Sequence, residues 1–324
     1  MITPATQPRI CVVGSSNVDL ISYVPRLPRP GETLRGSRFR LEYGGKGANQ
    51  AVMAAKLGGQ VAMVAKVGHD AFGKNMLANF HTCGVDTQFV LSTSQAFSGV
   101  ASIAVGPDGE NSITVVAGAN DLLTEADIEA ARAVIGGAQI LICQLEVPLK
   151  TTLAALALAR NLNVRTIVNP APAQPDLPEK LYALSNIVCP NETETELLTG
   201  QAVETMEQAE RAARILLKRG AGAVVLTLGS RGSLLVTAEE TIHVPVAPVD
   251  PVDTTGAGDA FVGSLAYFLA ADLTIMEAMR RANAIAAMSV QSPGTQSSFP
   301  AAADLPPSLL QGCACATHGS FSIQ

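Results

Sequence analysis

Charge is scarce in this chain. Charged residues fill 15% of its 324 positions and hydrophobic residues 48%, whereas an average soluble domain carries about 25% charged residues. That balance excludes whole-chain disorder and implies a well-buried core. No run of Lys or Arg occurs and the net charge is −6, so neither nucleic acid nor an anionic membrane surface is expected as a partner, and any anion site must be local. No uncharged stretch nears the roughly 18 apolar residues of a membrane span. The segment ahead of the first strand-like run, at Arg9, is too short for a signal peptide. A cytoplasmic location is expected. The six cysteines (11, 83, 143, 189, 313, 315) mostly stand singly in apolar segments, as reduced buried thiols do. Cys313, Cys315 and His318 are too few ligands for a closed zinc site.

Apolar β-rich runs recur at 9–14, 61–67, 139–143, 164–168, 187–189 and 223–228, with helix-period stretches between them, such as Ala48, Val52 and Ala55 on one face. This alternation predicts an α/β three-layer sandwich: a mainly parallel central sheet flanked by helices, with ligands at the carboxyl ends of its strands. Two regions break the alternation. Residues 20–42 hold a Pro-rich hinge, and 97–117 read as a hairpin turning at 106–109. Together they predict a small β-sheet lid that would keep water from a reacting group. The alternative is a surface hairpin without a catalytic part. One domain is expected over residues 1–311, with a flexible tail at 312–324.

The segment Asp253-Thr254-Thr255-Gly256-Ala257-Gly258-Asp259 opens onto the apolar run 260–269. A glycine-rich turn at a helix start offers unpaired N–H groups and the positive end of the helix dipole, which suits a phosphoryl group. Asp259 beside it reads as a general base for a hydroxyl, with the amides of 256–259 as the anion hole. Its plainer role would be helix capping. The near-miss phosphate loop at 68–75 has Asn75 where Ser or Thr would hold Mg²⁺, and no G-x-G-x-x-G follows the first strand.

Asn17 and Asp19 would point the same way from an extended chain and suit sugar hydroxyls, or equally form a turn. Gly44-Gly45-Lys46-Gly47-Ala48-Asn49-Gln50 implies close backbone approach to a ligand, with Asn49 within reach of the same polyol; Glu146 is a further acceptor at a strand end. Asn191-Glu192-Thr193-Glu194 starts a helix. Its acids either complement the helix dipole or hold Mg²⁺ through water.

Taken in order, GSSNVD (14–19), GGKGANQAV (44–52), AGAN (117–120), QLE (144–146), NPAPA (169–173), PNETE (190–194), TLGSRG (227–232) and DTTGAGD (253–259) resemble the ribokinase type of PfkB carbohydrate kinases, from about Arg9 to about Leu310. The resemblance implies transfer of the ATP γ-phosphoryl group to the 5-hydroxyl of D-ribose, with Asp259 as base and Gly256, Ala257 and Gly258 in the anion hole. It implies ribose contacts from Asn17, Asp19, Gly45, Lys46, Asn49, Glu146 and Asp259. ATP would be held by Asn191, Thr227, Leu228, Gly229, Ser230, Arg231, Gly232, Gly258 and Asn283, and Glu194 would place Mg²⁺. A K⁺ site would map to Asp253, Thr255, Ser289, Ser292, Gly294 and Ser298, and lid strands would pair two subunits into a homodimer. The alternatives are a kinase for deoxyribose, fructose or a nucleoside, or a non-catalytic sugar-binding protein on this fold. Few aromatics near the first strand and lid (Tyr23, Phe39, Tyr43, Phe97) weaken the nucleoside reading, and a binding module has no need of a base.

Overall fold

A computed structural model describes residues 7–107 and 110–310; the cysteine-containing tail lies outside them. The strands are β1 (Arg9–Val13), β2 (Asn17–Tyr23), β3 (Arg38–Gly44), β4 (Gln60–Gly68), β5 (Val85–Thr93), β6 (Gly99–Val105), β7 (Asn111–Val116), β8 (Ile140–Cys143), β9 (Arg165–Val168), β10 (Ile187–Val188), β11 (Ala223–Thr227), β12 (Ser233–Val236) and β13 (Thr241–Val244). The helices are α1 (Lys46–Lys56), α2 (Ala71–Thr82), α3 (Glu125–Ala130), α4 (Arg132–Gly137), α5 (Leu149–Asn161), α6 (Glu179–Ala183), α7 (Glu192–Thr199), α8 (Met206–Lys218), α9 (Ala257–Ala270), α10 (Ile275–Ser289) and α11 (Pro307–Leu310).

Nine strands form one sheet in the order β13-β12-β11-β10-β9-β8-β1-β4-β5, parallel from β5 to β11 and antiparallel over the last two pairings. Both faces are covered, which is why its central strands are continuous apolar runs rather than alternating ones. Along β1 the side chains alternate between the layers: Ile10 and Val12 join the cluster containing Ala51 of α1, Phe261 of α9 and Ala278 of α10, whereas Cys11 and Val13 join that of Leu156 of α5 and Leu216 of α8. All six predicted strand runs lie in this sheet. The β5 strand and the β12–β13 hairpin were not foreseen. In β5 polar and apolar residues mix on a half-buried edge, and β12–β13 adds antiparallel strands that carry no crossover helix to announce them.

The segments that broke the alternation form a separate four-stranded sheet, β3-β2-β6-β7. It is mixed, since β2 runs parallel to β6 and antiparallel to β3. The 97–117 region does turn back on itself, with the Gly106 N–H donating to the Glu110 carbonyl at 2.8 Å. Asn17 and Asp19 prove to be strand residues on one face of β2, and Asp19 sits opposite Glu42 of β3. Among the described residues no helix is long and apolar enough to cross a membrane. The parallel strands β1, β8, β9, β10 and β11 end at 13, 143, 168, 188 and 227, so the residues following them gather at one edge of the sheet.

Candidate active site

A cavity of about 130 Å³ opens at that edge, lined by Lys46, Asn169, Cys189, Asn191, Glu194, Thr227, Gly256, Gly258, Asp259 and Val262. Its floor is the start of α9. Gly256 caps this helix at φ 78°, and a Cβ there would lie 2.5 Å from Cγ2 of Thr295, so only glycine makes the turn without strain. Of the four amides expected in the anion hole, that of Ala257 donates to the Thr254 carbonyl at 3.2 Å and closes the turn. Those of Gly258 and Asp259, second and third in the helix, belong to the first turn, where no intrahelical acceptor exists.

Asp259 is buried, with 7% of its surface exposed. Its Oδ2 accepts from Asn49 Nδ2 at 2.9 Å and its Oδ1 from Gln50 Nε2 at 2.8 Å. Asn49, expected to reach a polyol, is thus already turned to Asp259, and its Oδ1 accepts from Gln296 Nε2 at 3.0 Å. Lys46 stands between this cavity and the residues expected to take a sugar. Burial alone would depress its ammonium, but the carboxylates of Asp259, Glu146 and Glu194 raise it above the ordinary lysine value and keep it charged.

At the sugar end, Asn17 is held by Asn120, whose Nδ2 donates to Asn17 Oδ1 at 2.8 Å and whose Oδ1 accepts from Ser16 N at 2.9 Å. Gly45 precedes α1 with no side-chain cap, and Glu146 supplies one from a distance, accepting from Lys46 N at 2.9 Å and Ser15 Oγ at 2.5 Å through Oε2. Asp19 is pushed up to about 7 by burial first, then by the charges of Glu146, Glu42 and Asp259. Asp259, Glu146 and Glu194 therefore act together on Lys46, while Glu146, Glu42 and Asp259 act on Asp19.

At the far end, Asn191 and Glu194 form a reciprocal cap of α7: Asn191 Oδ1 accepts from Glu194 N and Glu194 Oε2 from Asn191 N, each at 2.8 Å. Both also line the cavity. Burial raises the Glu194 carboxyl, against the Asn191 N–H and Lys46, which favour its charge. The segment 227–232 contributes Thr227 to the cavity wall, while the Gly229–Arg231 turn follows it. Leu228 is in the core, Arg231 pairs with Glu192 and the carbonyl of Glu204, and Asn283 donates to the Val244 carbonyl at 2.9 Å.

Behind the anion hole, Asp253 accepts from Thr255 N through Oδ1 and from Gly294 N through Oδ2, both at 2.9 Å. These N–H groups hold its carboxyl below the ordinary value despite burial. The Val290 carbonyl, next to Ser289, accepts from Val252 and Asp253, and Ser298 Oγ donates to Thr295 O at 2.9 Å. The lid reaches the same loop: Thr295 N donates to Glu42 Oε2 at 3.3 Å, and Arg40 pairs with Glu42. Ser292 is exposed at the loop's surface.

Ser15, Asn120, Gln50, Gln144, Asn169 and Gln296 were not foreseen as site residues. Several sit inside motifs already noted (AGAN, GGKGANQ, QLE, NPAPA), but nothing in a lone amide's sequence context tells which group it will face.

Residues 7–302 match the pfkB family carbohydrate kinase pattern. A ribokinase of Mus musculus is 48% identical over 301 residues, covering 92% of this chain and 93% of that one. A deoxyribokinase of Salmonella typhi is 41% identical, with 90% and 95% covered. The structure of Arabidopsis thaliana ribokinase complexed with ribose and ATP superposes with a TM-score of 0.87 at 33% identity, over 95% of this chain and all of that one. The glycine-rich helix start, the buried acid it carries and the polar strand ends thus occur in a chain that belongs to the pfkB family of carbohydrate kinases.

Proposed function

We propose that this kinase phosphorylates the 5-hydroxyl of D-ribose at the expense of ATP. The observation that carries the reading is Asp259: a buried carboxylate, oriented through both oxygens, beside the first-turn amides of α9 and facing a cavity that also contains Lys46, Asn191 and Glu194. Asp259 takes the hydroxyl proton as the new O–P bond forms and the bond to the ADP oxygen breaks. The amides of Gly258 and Asp259, with Lys46, hold the charge on the transferred group. Asn17, Asp19 and Glu146 bind the ring hydroxyls, and Asn191 and Thr227 face the nucleotide.

Mg²⁺ fits Glu194, whose Oε1 remains available beside the cavity while Oε2 caps α7; a single carboxylate with waters is ordinary for this ion, which when bound neutralises phosphate charge. K⁺ fits the oxygen-only set of Asp253, Thr255, Ser289, Ser292, Gly294 and Ser298, whose carboxylate and hydroxyl lone pairs are not all used. The small sheet acts as a lid, and its outer apolar residues Ile113, Val115 and Val116, each more than half exposed, pair two copies into a homodimer. Residues 1–311 form the kinase domain.

A coupled ADP-release panel with ribose, deoxyribose, fructose and adenosine tests the reading. Ribose is expected to give the highest kcat/KM. Preference for another sugar refutes the substrate, and no sugar-dependent release with intact ATP binding refutes catalysis.

A further inference from the structure

Asp259 does not stand against the core unaided. Gln144, following β8, donates from Nε2 to Gln50 Oε1 at 2.6 Å; Gln50 then donates from Nε2 to Asp259 Oδ1 at 2.8 Å and to Asn169 Oδ1 at 3.1 Å. Asn169, following β9, in turn donates to the Cys189 carbonyl at 2.9 Å. Gln50 and Gln144 are wholly buried and Asn169 nearly so. Four separate segments, α1, α9 and the ends of β8 and β9, thus meet through one set of amides, in which the Gln144 and Gln50 N–H groups donate in sequence toward the carboxylate.

We infer that Gln50, backed by Gln144, is a positioning residue that holds the rotamer of Asp259 and donates to its Oδ1; the inference rests on Asp259 being the base. Three features argue for more than core filling. A buried glutamine is costly unless its amide is satisfied, and an apolar residue of the same length would pack here without that cost. The amide polarity is directional: Gln50 uses its oxygen on Gln144 and its nitrogen on Asp259, so the carboxylate receives a donor that cannot turn to accept. The neighbourhood is also shaped around Gln144. A Cβ on Gly14 would lie 2.0 Å from Gln144 Oε1, so the glycine at the end of the first strand leaves room for this amide. With Asn49 fixing Oδ2, the Gln50 contact on Oδ1 leaves only the lone pairs facing the cavity for a substrate proton. An N–H donor to an acid stabilises its ionised form, which a base must have before turnover.

The test compares the full-length protein with its Gln50→Met and Gln144→Met variants in sugar-dependent ADP release from pH 5 to 9, with thermal melting alongside. Gln50→Met is expected to lower kcat about 10- to 100-fold with the ATP KM unchanged, and to move the acidic limb of the kcat/KM profile upward by about one pH unit. Gln144→Met leaves Gln50 in place but free to turn, and is expected to move the same limb by less. A loss of melting temperature with an unmoved limb in both variants shows a merely structural amide and overturns the inference. If Gln50→Met does not fold, the limb in Gln144→Met decides. Asp259→Asn, run in parallel, separates the two readings: full turnover there removes the base itself, whereas its loss beside an unmoved Gln50→Met profile removes only the role of Gln50.

Discussion

The site is held together against its own electrostatics, and Asp19 allows that to be measured. Its carboxyl is raised from 3.8 to about 7, chiefly by burial and then by Glu146, Glu42 and Asp259. Between these two values the unfolded chain has released the proton and the folded chain retains it, so stability falls as pH rises through this window. A shift of about 3 units at 1.36 kcal/mol per unit makes the loss on the order of 4 kcal/mol by pH 8. Asp19→Asn keeps the shape and cannot ionise. It is expected to match the wild type in urea unfolding near pH 4 and to exceed it progressively toward pH 8, by on the order of 2–4 kcal/mol. The same variant is expected to bind ribose more weakly, because the carboxylate presents acceptors where the amide presents one N–H₂ and one oxygen. Parallel stability curves for the two proteins between pH 4 and pH 8 would refute the argument, since they would mean that Asp19 ionises as it does in the unfolded chain.

Asp259→Ala is expected to abolish sugar-dependent ADP release while ATP still binds by calorimetry; near-normal turnover sinks the base. Gly256→Ala forces a Cβ to within 2.5 Å of Thr295 at a positive φ; by displacing the turn that aims the Gly258 and Asp259 amides it is expected to cost about 10²-fold in kcat, which steady-state kinetics would read. Turnover is expected to depend on K⁺, and equal rates in tetramethylammonium buffer would show an idle cation loop. Val115→Lys on the exposed lid face is expected to convert a dimer to monomers in sedimentation velocity, whereas an unchanged sedimentation coefficient places any interface elsewhere.

What was legible in the sequence is what local physics controls. Apolar runs buried on both faces read as parallel strands because no water-facing alternation interrupts them, and the strand ends located the site. The α9 start read as an anion site because glycine freedom and unpaired first-turn amides are properties of a few consecutive residues. The Asn191–Glu194 cap is equally local, three residues apart, which is why its structural and metal-holding readings were both visible. What only the tertiary structure decided depends on meetings between distant segments. Gln50 finds Asp259 across 209 positions and Gln144 across 94, and an amide's chemistry does not say which of many carboxylates it will face. Arg231 meets Glu192 and Asn283 meets the Val244 carbonyl, each across 39 positions. The raised Asp19 carboxyl is likewise a property of no motif: it arises because β2, β3, the end of β8 and α9 bring four acids into one poorly hydrated place, where charge repulsion and burial act together.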